Sequence, residues 1–117
     1  MVAVIRREER KSFPSDPKSD PVPWHFESLD FRVNERKLNG YLANFHPLPH
    51  DKLAPHHHPG VELLYLIEGK LEIVIGIETF ELSAGDFIYF DAMQKHSYRS
   101  LVRSSCTAIV VTTGSPR

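Results

Sequence analysis

From residue 27 onward the chain is cut into short runs rich in Val, Ile, Thr, Tyr and Phe. The runs read ESLDFRV, GYLANF, VELLYLIE, KLEIVIG, ETFEL, DFIYFD, HSYRSLV and CTAIVVTT. Turn signals stand between many of them: Asn39-Gly40, Pro59-Gly60, Glu68-Gly69-Lys70, Gly76 and Ser83-Ala84-Gly85-Asp86. No window of residues 24–117 keeps a 3.6-residue apolar period over helical length. Short strands at close spacing bury their apolar faces only by stacking or by closing on themselves. An all-β fold is therefore expected, a sandwich or a barrel, with no helix longer than about two turns.

A chain of 117 residues fits one domain. Residues 13–23, FPSDPKSDPVP, hold four prolines and form a stiff, extended connector. The expected division is an N-terminal arm and Pro-rich connector over 1–23 and one domain over 24–117. The arm itself reads as an added edge strand. Its basic residues Arg6, Arg7, Arg10 and Lys11 are interrupted by Glu8 and Glu9, the pattern of a solvated mixed-charge face. A net charge of -1 gives no electrostatic reason for direct nucleic-acid binding or membrane-surface binding. A single cysteine, Cys106, excludes an intrachain disulfide, and a cytoplasmic location is expected. Cys106 stands in CTAIVV and reads as a small buried hydrophobe. The first residues lack the apolar core of a signal peptide, and no apolar run approaches the roughly 18 residues of a membrane span.

Chemistry concentrates in LAPHHHPGVELLYLIEG, Leu53 to Gly69. In extended chain His56, His58 and Glu62 share one parity, and His57 has the other. The face continues through Leu64 and Leu66, so it is the inward one. A carboxylate on such a face needs a partner. Two imidazoles and a divalent cation supply one, and imidazole with carboxylate is a common transition-metal ligand set. A solvated, idle histidine run is the alternative. His57 is expected to point outward. His25, His46 and His50 fall in irregular or edge segments and read as surface or hydrogen-bonded residues. A second cluster lies in GDFIYFDAMQKHSYRS, where a Gly85-Asp86 turn, a strand and a short loop lead to His96. One antiparallel hairpin would return His96 to the first cluster.

The two clusters together resemble the paired motifs of the cupin superfamily. The first cupin motif is HxH, three or four residues, E, six residues, G. Here it is His56-x-His58, Pro59-Gly60-Val61, Glu62, then six residues to Gly69. The second is matched by Gly85-Asp86 and His96, with Asp91 where proline is usual and Met93 where glycine is usual. The resemblance spans about Tyr41 to Arg103. It implies a small antiparallel β-barrel of jelly-roll type, with His56, His58, Glu62 and His96 as ligands of a divalent transition metal. Fe, Mn, Ni, Zn and Cu are not distinguished. The spelling of the motifs is similar to the cupin sensor half of bacterial helix-turn-helix transcription regulators, although no DNA-binding helices are present in these residues.

Three functions follow as expectations. The first is a metal-dependent small-molecule sensor, part of such a regulator. The second is a small metalloenzyme, a dioxygenase or isomerase, using open metal positions. The third is a metal-poor cupin that carries a polar ligand. No residue is assigned as catalytic. Tyr98, inward and two residues after His96, is the candidate ligand-binding residue, with barrel filling as its alternative role. Val61, Leu63, Tyr65 and Ile67 lie opposite the inward face and are also apolar. A strand apolar on both sides needs a second layer, so a second sheet or a homodimer partner is expected over it.

Overall fold

The structure is a computed structural model that describes residues 2–33 and 36–114. Among these residues there are nine strands, β1 (Ser12–Pro14), β2 (Trp24–Ser28), β3 (Asn39–Phe45), β4 (Val61–Glu68), β5 (Lys70–Ile75), β6 (Glu78–Ser83), β7 (Phe87–Asp91), β8 (His96–Ser100) and β9 (Cys106–Thr112). Two short 3-10 turns, Arg7–Glu9 and His50–Lys52, complete the elements. No described helix is long and apolar enough to cross a membrane.

The strands form two antiparallel sheets. One has six strands in the order β1-β2-β3-β9-β4-β7, and the other has three in the order β6-β5-β8. The closed barrel expected from the sequence is corrected here: the edges β6 and β7 are not hydrogen-bonded to each other. The Ser83–Asp86 turn carries the chain from one sheet to the other. Its backbone instead docks on β4, with Gly85 N donating to Leu66 O and Leu66 N donating to Asp86 O. The two strands therefore diverge from that turn, and a cleft of about 520 Å³ lies between them. On the far side the sheets are stitched by isolated bridges, Pro47 to Ser100 and His56 to His96.

Alternation along the strands sets the core. β3 buries Tyr41, Ala43 and Phe45, β9 buries Cys106, Ala108 and Val110, and β5 buries Leu71, Ile73 and Ile75. Trp24 and Tyr98 close the layer, with ring centroids 6.2 Å apart. Cys106 is fully buried. The arm reaches the sheet near its end, where Arg10 pairs with Glu27 and β1 pairs antiparallel with β2 as an edge strand of the same chain.

Two boundaries differ from the sequence reading. The run ESLDFRV was expected as a strand, but the strand is Trp24–Ser28. Asn39-Gly40 was expected as a turn, but it opens β3. Asp30 explains both. Its carboxylate accepts from Ser28 Oγ and from Gly40 N, so the reversal occurs after Ser28 and Gly40 is drawn into the ladder.

The bend between the histidines and β4 depends on Gly60, which has φ +94°. A Cβ there would stand 2.1 Å from the carbonyl oxygen of Thr113. Gly60→Ala should therefore destabilise the protein by at least about 2 kcal/mol, from backbone strain and the clash together. Denaturant unfolding of the two proteins measures this.

Candidate metal centre

The backbone clamps the histidines before any side-chain contact is made. His56 N donates to His96 O and His96 N donates to His56 O, both at 2.9 Å. One step further, His58 N donates to Ala92 O, and Ala92 N donates to Gly60 O, again at 2.9 Å. The HHHPG segment is thus sewn to the turn that precedes β8. β4 then presents Glu62 from the opposite sheet, in register with Phe90 and Thr112.

Nitrogen atoms of His56, His58 and His96 lie within 4.8 Å of one another. Glu62 stands against two of them: its Oε1 is 3.3 Å from His58 Nε2 and 3.9 Å from His96 Nε2. Its Oε2 accepts a hydrogen bond from the hydroxyl of Tyr98. Glu62 is wholly buried, His96 and His58 nearly so, and Tyr98 is 3 % exposed. His57 is exposed. The other histidines lie elsewhere: His25 Nδ1 meets His46 Nε2 at 2.7 Å, His46 Nδ1 meets Ser105 Oγ at 2.5 Å, and His50 is exposed.

Each of the three rings also engages a backbone carbonyl. His96 Nδ1 lies 2.7 Å from Gln94 O, His58 Nδ1 lies 3.2 Å from Pro59 O, and His56 bonds to the Ala54 carbonyl. A ring nitrogen facing a carbonyl must carry its proton. In neutral His96 and His58 the other nitrogen, Nε2, then holds a lone pair directed at the cluster, the arrangement typical of metal-binding histidine.

The charges around the cluster follow from burial. His56 is pushed down to about 4, first by burial and then by nearby His96. His96 is likewise lowered by burial. His58 is raised, first by its hydrogen bond to Glu62. The Tyr98 hydroxyl is raised well above its ordinary value by burial and by the Glu62 charge, so it remains a donor.

The residues present fit a metal ion. His96 Nε2 is buried without a hydrogen-bond partner. Such an orphan costs free energy unless something accepts its lone pair, and a cation among three imidazoles does so. A bound divalent ion would supply a Lewis acid and an anchor for a ligand oxygen or nitrogen.

Two polar residues near the centre were missed by the sequence reading. Thr112 is fully buried with Oγ1 unpartnered, directly across the ladder from Glu62. Asn39 is its neighbour on β3. Thr112 shares parity with the inward residues Ala108 and Val110, and that was its only signal.

Residues 45–112 match the Cupin_2 family, described as a cupin domain. The chain belongs to the cupin family. No curated protein matched it. Among solved structures, this cupin is similar to Fe(II)-HppE with the alternative substrate (S)-1-HPP. The TM-score is 0.80 at 16 % identity, covering 95 % of this chain and 60 % of that one. It is similar to the hydroxypropylphosphonic acid epoxidase from S. wedmorenis, with TM-score 0.77 at 16 % identity over 95 % and 59 %. It is also similar to KdgF from Halomonas sp., with TM-score 0.72 at 15 % identity over 98 % and 96 %. At such identities the likeness is one of fold. The cupin spans about three-fifths of the epoxidase's length, while it and KdgF are nearly coextensive.

Proposed function

We propose that this cupin is a metal-dependent small-molecule-binding domain in which His56, His58, His96 and Glu62 hold one divalent transition metal. The observation that carries the reading is the buried, unpartnered Nε2 of His96 facing two further imidazoles. Tyr98 then holds the Glu62 carboxylate in place. The ligand would approach through a cavity of about 240 Å³ lined by Ser15, Asp16, Pro23, Trp24, Pro55 and His56, which reaches the ring of His56. The Oγ of Ser15 is buried there without a partner and suits a ligand hydroxyl or carbonyl.

The spelling of the two motifs favours a sensor role, as the ligand-reading part of a bacterial transcription regulator whose DNA-binding half is not in these residues. The second reading is a small metalloenzyme. It is favoured by the fold likeness to HppE, which carries Fe(II) and a substrate in its solved structure.

Metal content of untagged protein and calorimetric titration with Fe(II), Mn(II), Ni(II) and Zn(II) test the common part. The expected result is one tightly bound ion per chain for at least one metal. Binding of none above the background of the unfolded protein would overturn it. Product formation from a metabolite panel by the loaded protein would favour the enzyme, and ligand binding without turnover the sensor.

A further inference from the structure

We infer that the outer face of β9, β4 and β7 is the interface of a two-fold symmetric homodimer of this chain. Cross-strand register places two apolar rows there. Ile109, Tyr65 and Phe87 lie opposite one another in the first, and Val111, Leu63 and Tyr89 in the second. Tyr65 and Phe87 pack with ring centroids 4.6 Å apart and planes tilted by 35°, yet Phe87 is 63 % and Tyr89 68 % exposed. No described element covers them: the arm is engaged at the other edge of the sheet, pairing with β2.

Charge on this face is confined to its ends, Asp91 closing β7 and Glu68 closing β4 beyond a bulge. The outer face of the three-stranded sheet has the opposite character. There Glu72 sits in register with Glu81 on one side and with its ion-pair partner Arg99 on the other. The three-stranded sheet thus carries charge across its solvent-side face, whereas the β9-β4-β7 face carries it only at its ends; the outward charge of the six-stranded sheet lies further off, where Glu27 of β2 pairs with Arg10.

A second copy is the occupant that fits. An uncharged face repeats itself about a two-fold axis with no like charges brought together and no charge desolvated, whereas a charged partner would lose hydration with nothing to pair. The size agrees. The exposed parts of the two rows and their flanking side chains come to roughly 600 Å², the upper end of what a monomer leaves open. With a polar rim this approaches the about 800 Å² per partner of a stable complex. The packed aromatic pair is the kind of anchor on which such interfaces depend.

The test is the mass of the full chain in solution, by sedimentation or light scattering at micromolar concentration. Wild type should show twice the 13.4 kDa chain mass. Phe87→Lys with Tyr89→Lys should weaken association by about 100-fold or more and give the single-chain mass. Both side chains are mostly exposed in one chain, so the far-UV spectrum should not change. Glu81→Lys, on the other sheet, should remain dimeric. Hydroxyl-radical footprinting of wild type gives a reading that needs no variant: Phe87 and Tyr89 should be protected at concentrations above the dimer transition and oxidised below it. A monomeric wild type overturns the inference. So does a folded double variant that stays dimeric, or a dimer in which Phe87 and Tyr89 are oxidised as in the monomer.

Discussion

His96→Ala should abolish the rise in melting temperature that added metal gives the wild-type protein. An ion that binds only the folded state stabilises it by about 4 kcal/mol when its concentration is about 1,000 times Kd. His96 contributes a buried ring nitrogen with no hydrogen-bond partner, so its loss removes metal affinity with little compensation. His56→Ala and His58→Ala should act in the same direction. His58→Ala should also lower the metal-free stability by about 3 kcal/mol, because it leaves the buried Glu62 carboxylate with Tyr98 as its remaining hydrogen-bonding partner. Glu62→Gln keeps the shape and removes the only anion of the set. Affinity should fall by more than about 100-fold, beyond what the loss of an outer hydrogen-bonding residue costs. His57→Ala should leave the metal response intact, since that ring is exposed. Melting curves with and without metal for the five variants decide the matter. A response lost in His57→Ala and kept in His58→Ala would require the centre to be redrawn.

Acidification should weaken metal binding before it unfolds the protein. His58 is raised above the ordinary imidazole value of 6.5, chiefly by its hydrogen bond to Glu62. Both of its ring nitrogens face acceptors, which favours the protonated ring, and a metal at Nε2 must displace that proton. Affinity should therefore begin to fall above pH 6.5, with proton release on metal binding. Calorimetry in buffers of different ionisation enthalpy counts that proton. Metal-free stability also falls on acidification, for a different reason. His56 is lowered to about 4 and His96 is lowered too, both first by burial. Below pH 6.5 the unfolded chain takes up protons that the folded chain refuses, so stability is full above 6.5 and is lost progressively as pH falls towards 4. His58 works against this. Its contribution is present below 6.5 and fades as pH rises through its raised value. His56, lowered to about 4, carries the largest of these shifts and His46 is lowered by burial as well, so the net slope is a loss on acidification. Denaturation curves from pH 8 to pH 4 without metal should show it; a protein equally stable across that range would contradict the burial of these rings.

The all-β class and the positions of β4 to β9 were legible in the sequence, because hydrophobic alternation and turn residues are local properties of the backbone. So was the pairing of His56, His58 and Glu62, whose common parity is a matter of counting. Tertiary structure alone decided what depends on partners far along the chain. The reversal after Ser28 is set by the Asp30 carboxylate reaching Gly40, which no local rule assigns. The open seam between β6 and β7 arises because the Ser83–Asp86 turn hands the chain from one sheet to the other, whereas strand patterns do not say which edges meet. Tyr98 is bound to Glu62 across the sandwich, and Thr112 stands unpartnered beside that same carboxylate. Parity fixes which face a side chain takes, but what it touches on that face is fixed only when two sheets are laid against each other.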